Sequence, residues 1–269
     1  MRNLLPSLKA RIKRSLPVRM KEWITDKHLF SRRVVKFAKG KEHLIGRDIR
    51  IPRVKLGREN ADWVVADRLM SADSIVYSVG IGEDISFDLA LMARYGCGVY
   101  GWDPTPLAVN FIASLKTPPP GFVFMPYGLA AQDGAIQFGA QDSGDRSFSV
   151  HSQHATRVTL EVRTITSMMK MLNHAHVDLL KMDIEGSEYD VIRKIVEERI
   201  VIPQLLVEFH HRWYAHIPVQ KTKEHIRMLQ RAGYLIFDVA PLGGEISFIH
   251  KTALTNGRGI AGPPKLEAK

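Results

Sequence analysis

The sequence predicts an α/β domain built on a mostly parallel sheet with helices on both faces, and three observations predict it. Short β-rich apolar runs alternate with helix-like segments from about residue 70 to residue 250. Two of these runs end in glycines or acids where a helix signal begins, at VGIGED and at KMDIEG. The 269 residues are 45% apolar and 25% charged, ordinary for a soluble chain with a sizeable core.

The first strand is SIVYSV (74–79), ending at Gly80 and Gly82. DLALMARY reads as a helix closed by Gly96, and GVYGW (98–102) as a second strand ended by Asp103 and Pro104. PLAVNFIASLK is helical up to the prolines at 118–120, and FVFMP (122–126) is the third strand. Residues 139–159, rich in Gly, Ser, Asp, Gln and His, read as a long functional loop. LEVRT and ITSMMKMLN follow as strand and helix. Then come strand VDLLKM, helix SEYDVIRKIVEER and strand QLLVEF (204–209). TKEHIRMLQRAG is a helix closed by Gly233, and YLIFDV with EISFIH forms a closing hairpin. Three regions result: a basic, partly helical N-terminal extension (1–60), the α/β domain (61–252) and a disordered tail (253–269).

Charge is unevenly distributed. Residues 1–60 hold 18 Lys or Arg and 5 Asp or Glu, a net of +13; the other 209 hold 20 and 23, a net of −3, which together give +10. Apolar residues recur at helical spacing among the N-terminal cations, so this segment suits either a helix packed on the domain or contact with an anionic membrane. A transit peptide is another reading, since the first 21 residues hold no acid. No nucleic-acid module is recognised and no nucleic-acid partner is expected. No apolar run approaches the roughly 18 residues that span a bilayer, and Lys and Arg interrupt the first residues, so a cytoplasmic location, peripheral to the membrane at most, is expected. Cys97, the one cysteine, leaves no intramolecular disulfide or Cys-based zinc site and reads as a small structural residue.

Chemistry gathers at the strand ends. Gly80 and Gly82 let the backbone turn tightly toward a ligand, but Glu83 and Asp84 follow where a pyrophosphate would lie. This disfavours a nicotinamide or flavin dinucleotide and favours a cofactor that carries positive charge. Asp103, 23 residues after Gly80, stands where an acid accepts hydrogen bonds from a ribose. In KMDIEGSEYD, Ser187 and Asp190 fit a capping box and Glu188 complements the helix dipole, whereas Asp183 and Glu185 are left at a strand end. Glu208, His210 and His211 leave the next strand at the same sheet edge. Asp183, Glu208 and His210 suit either deprotonation of a hydroxyl or a magnesium site.

VYSVGIGEDISFDLALMARYGCGVYGWDPTP, DLLKMDIEGSEYDVI and LLVEFHH together resemble the FkbM-type family of S-adenosylmethionine-dependent methyltransferases. The resemblance covers roughly residues 55–250. It implies a Rossmann-like class I methyltransferase fold with a seven-stranded sheet in the order 3-2-1-4-5-7-6, the last strand antiparallel. It also implies O-methylation of carbohydrate-like or secondary-metabolite hydroxyls, with S-adenosyl-L-methionine as cofactor. By position, Gly80, Gly82 and Glu83 would meet its methionine part, Asp103 its ribose, and Tyr127, Gly128 and Leu129 its adenine. Asp183 would lie beside the methyl. A non-catalytic nucleoside-binding or scaffold protein with a membrane-associating arm is the alternative.

Overall fold

The computed structural model describes residues 18–115, 117, 119–140, 148–149, 157–255 and 265–266. Helix α1 (Val18–Ala38) leads into β1 (Ile49–Arg50) and an antiparallel hairpin of β2 (Arg53–Leu56) and β3 (Trp63–Ala66). The alternating portion follows as β4 (Ile75–Val79), α2 (Ser86–Tyr95), β5 (Gly98–Trp102), α3 (Pro106–Ser114) and β6 (Phe122–Met125). Next come β7 (Gly128–Leu129), β8 (Gly134–Ala140), β9 (Phe148–Ser149), β10 (Arg157–Arg163) and α4 (Ile165–Met171). The chain continues through β11 (Leu179–Met182), α5 (Glu188–Glu197), β12 (Gln204–Glu208), α6 (Val219–Arg231), β13 (Tyr234–Val239), β14 (Glu245–His250) and α7 (Lys251–Thr255), and β15 (Lys265–Leu266) pairs with β1.

Seven strands form one sheet, β6-β5-β4-β11-β12-β14-β13, with β14 antiparallel to both of its neighbours. Numbered within the sheet, this is 3-2-1-4-5-7-6, the order the resemblance implied. All four residues of β11 are buried, which accounts for an apolar run interrupted only by Lys181. Leu180 and Met182 pack on one face with Tyr189, Ile192, Ile226 and Leu229 of α5 and α6. Leu179 packs on the other with Leu91 of α2 and Ala108 of α3. Ile49, Ile51, Trp63 and Val65 join that second face, so residues before 66 contribute to the core. Each fully buried large apolar side chain contributes roughly 1.5–3 kcal/mol.

The structure corrects three readings. Parts of the expected 139–159 loop are strand: β8 and β10 pair from Gly139↔Arg157, and β9 pairs with β8, making a small sheet β7-β10-β8-β9. The polar composition hid a hairpin whose strand ends are only weakly apolar. Ser187 makes no side-chain cap bond because its backbone is already helical (φ −84°, ψ −11°), so the capping box does not form. Residues 253–255 continue a helix and 265–266 pair with β1, so part of the expected tail is ordered.

Candidate active site

The carboxyl ends of β4, β11 and β12 and the amino end of the antiparallel β14 open into a cleft of about 1910 Å³, whose lining includes Gly80, Glu83, Asp183, Glu185, Glu208, His210 and Glu245. Adjacent strands lie ~4.8 Å apart. Asp183 thus stands one strand from the glycine turn, Glu208 two and Glu245 three, or roughly 5, 10 and 14 Å across the sheet. This separates a cofactor half, near β4 and β5, from an acceptor half beyond β11.

In the cofactor half, the backbone makes the site. Gly80 has φ +77° and a Cβ there would lie 1.7 Å from the Asp183 carbonyl oxygen. Only glycine permits this approach. Gly82 (φ +53°) has open space beside its Cα, so a ligand can lie against its backbone. Asp103 is buried; it accepts from the Gly82 N–H at 3.0 Å and from the Thr105 N–H and hydroxyl at 2.9 and 2.6 Å. Burial pushes its carboxyl up, against these bonds and the Lys181 charge. Tyr127 stacks its ring on the Arg163 guanidinium, and Gly128 and Leu129 pair with β10 beside Pro104. Asp84, expected to face the cofactor's charge, is instead held by Arg58 and accepts from the Ser86 N–H.

In the acceptor half, side chains make the site. His210 is 2% exposed, with Nε2 3.5 Å from Asp183 Oδ1 and 3.4 Å from Glu185 Oε2. Its Nδ1 lies 3.4 Å from Glu188 Oε1 without hydrogen-bond geometry, while its backbone N–H donates to that oxygen at 2.9 Å. Burial alone would lower the imidazole, but Glu188, Asp183 and Glu208 outweigh it and raise the pKa to about 10. This shift favours the imidazolium and so disfavours His210 as the general base. Glu208 is raised as well, but for a carboxyl this favours the neutral form: burial first, then the charges of Asp183 and Glu245, hold it well above the ordinary value. Glu245, its register partner on β14, is raised by burial and by Asp183.

Asp183, Glu185 and His210 bring ligand atoms within 4.8 Å of one another, so Glu185, rather than Glu208, completes the metal-type triad. Magnesium prefers oxygen ligands, and the third donor of this set is an imidazole nitrogen, so the set does not suit that ion.

Sequence reasoning missed three participants. Lys181 is buried on β11; its Nζ donates to the Gly80 carbonyl at 2.5 Å, lies 3.8 Å from Asp183 and sits 5.3 Å over the Trp63 ring. A lysine inside an otherwise apolar strand was the available signal. Glu188, assigned only to the helix dipole, is fully buried and accepts from the Gly186 and His210 N–H groups. Asp88, also buried, has an unpartnered Oδ1 and lines the cleft. Neither acid had a local signal, because helix-start acids are common on surfaces.

A seven-stranded sheet in this order, with a glycine turn after its first strand and a buried acid after its second, defines a Rossmann-like class I methyltransferase. The sequence matches the profile described as the methyltransferase FkbM domain over residues 76–236. The chain belongs to this methyltransferase family. It is 24% identical over 151 residues to the proteins named "Probable methyltransferase-like protein 24" of Rattus norvegicus and Homo sapiens, covering 55% of this chain and 36% of theirs. The chain thus spans about a third of the curated relatives it matches. Among solved structures, Aeropyrum pernix fibrillarin with bound S-adenosyl-L-methionine aligns at 15% identity and a TM-score of 0.38, over 68% of this chain and 67% of that one. A Streptococcus thermophilus rRNA methylase aligns at 12% identity and 0.37, over 68% and 90%.

Proposed function

We propose that the enzyme methylates a hydroxyl of a carbohydrate-like or secondary-metabolite acceptor, with Glu208 as the proton acceptor. The observation that carries this reading is a carboxyl held above its ordinary pKa beside Asp183, one strand beyond it from the glycine turn. A base whose pKa approaches the working pH is effective in proton transfer. Gly80, Gly82 and Glu83 would hold the methionine part of the cofactor, Asp103 the ribose, and Tyr127, Gly128 and Leu129 the adenine. The open face of Gly82 and the buried acid at Asp103 are compatible with that arrangement.

The bound cofactor supplies a methyl on a sulfonium: the S–C bond breaks, an O–C bond forms, and a neutral thioether and a proton remain. Asp183 orients the acceptor hydroxyl, and Glu208 takes its proton. The His210 imidazolium offsets the surrounding carboxylates and donates to the acceptor oxygen or to Asp183. Lys181 holds the Gly80 carbonyl, and with it the glycine turn, against β11.

The basic N-terminal segment gives a second contact, with anionic membrane, supported by its +13 charge. Among the described residues no helix is long and apolar enough to cross a membrane. Release of a truncated protein from anionic liposomes that retain the full chain is the expected result.

Calorimetric titration of S-adenosylhomocysteine into wild type and Asp103→Ala tests the central reading. Micromolar binding, weakened about a hundredfold or more by losing two hydrogen bonds to a charged group, supports it; no binding to folded wild type sinks it. Binding without transfer to any hydroxyl acceptor would favour the scaffold alternative.

A further inference from the structure

The strand ends supply acids and His210 to the cleft, and Arg47, Arg53 and Lys55 line it ahead of β3. Among these polar groups, α1, the segment after it and the turn after β12 supply an apolar stretch of Leu29, Phe30, Leu44, Ile45 and Trp213. Three of these five are unusually bare: Trp213 is 65% exposed, Phe30 49% and Leu44 40%. Single exposed apolar residues are commonplace, but several gathered along one cleft mark a binding surface.

This wall is fixed. The buried Arg33 donates to the carbonyls of His43 at 2.9 Å and Ile45 at 3.0 Å, folding the segment back on α1. Glu42, fully buried, accepts from the Arg212 guanidinium and lies 3.1 Å from His211 Nε2, so the segment is pinned to the turn that carries His210 and Trp213. Thr222 bonds the other side of His211 at 3.0 Å and Tyr189 at 2.9 Å, extending the tie into α5 and α6. Glu42, His43 and His211 have metal-ligand spacing, but Arg33 and Arg212 already supply the positive charge there, so the cluster is a latch. Asp48 completes the attachment: its N–H donates to the Ile236 carbonyl at 2.7 Å.

We propose that residues 29–45, together with Trp213, form the acceptor-specificity wall and hold the apolar part of an amphipathic hydroxyl compound whose polar part meets the acids at the strand ends. This rests on the hydroxyl-methylation reading above. The wall lies outside the family-matched segment except for Trp213, so this selectivity belongs to the chain's own N-terminal portion. Continuity between the apolar wall and the polar strand ends commits the surface to one ligand with both characters. A free sugar would leave Phe30 and Trp213 in water, and a polyanion would meet Asp183, Glu208 and Glu245.

The test is calorimetry on protein saturated with S-adenosylhomocysteine, using hexyl β-D-glucopyranoside below its micelle concentration and methyl β-D-glucopyranoside as probes. The expected result is at least about tenfold tighter binding of the hexyl glucoside, in line with several buried methylenes. That preference should vanish in Phe30→Ser/Trp213→Ser, two exposed sites whose replacement leaves the fold and S-adenosylhomocysteine affinity intact. Equal binding of the two glucosides, or none up to about tens of millimolar, overturns the proposal, as does a preference that survives the double variant. Loss of liposome retention in the double variant, without any glucoside preference, would assign the surface to lipid and also overturn it. Failure of wild type to bind S-adenosylhomocysteine would instead strike the hydroxyl-methylation reading.

Discussion

The two halves of the cleft are built by different means. Around β4 and β5 a few backbone positions within a short stretch of sequence make the site: two glycines with positive φ and one buried acid. Beyond β11 the site is assembled from side chains far apart in sequence, with Glu42 held by His211 and Arg212, and His210 held by Glu188. A backbone-made half has little room to vary, whereas a side-chain-made half can change its acceptor one residue at a time.

Gly80→Ala should do the most damage, because it breaks the division itself. Its Cβ would run into the Asp183 carbonyl across the two strands, at a backbone angle disfavoured for alanine. A loss of more than about 3 kcal/mol in urea unfolding, with cofactor affinity lost alongside, is expected. Glu42→Ala should confine its effect to the acceptor half. Removing the partner of two buried basic groups costs about 3–5 kcal/mol, while S-adenosylhomocysteine binding to the remaining folded protein persists. The bonds from His211 and the His43 N–H, with the Arg212 charge, overcome burial and lower Glu42 to about 2. Its stabilising contribution is present above the unfolded carboxyl value and is lost as pH falls toward 2.

Glu208→Gln separates chemistry from stability within one half. Methyl transfer should drop roughly 10²–10⁴-fold. Because the folded pKa is raised, the ionised form costs stability above that value, so the variant should melt no lower than wild type at pH 8. A clearly lower Tm would mean that Glu208 has a structural partner. The smallest effect is a slope. His210, raised to about 10, contributes fully below about pH 6.5 and loses that contribution as pH climbs to about 10. His210→Gln should flatten the stability curve across that window, as read by thermal melts.

The same contrast explains what was legible in the sequence. The sheet strands and the glycine turn could be read because alternation and Gly placement are local signals. Asp183, Glu208 and His210 were recognisable as strand-end polar residues, but His210's charge was not, since it depends on the buried Glu188. Glu42 had no signal at all: His211 and Arg212, which hold it, lie about 170 residues away. The 139–159 stretch misled because a hairpin edge tolerates polar residues that also favour loops.

Glu185 is held in the left-handed region at φ +53°, immediately before Gly186 at +100°. Glycine or asparagine would sit there more easily, yet the chain keeps an acid whose carboxylate receives the Tyr214 hydroxyl at 2.9 Å and faces His210. Glycine or asparagine at 185 would therefore ease the turn and at the same stroke remove the carboxylate that ties the turn to Tyr214 and His210.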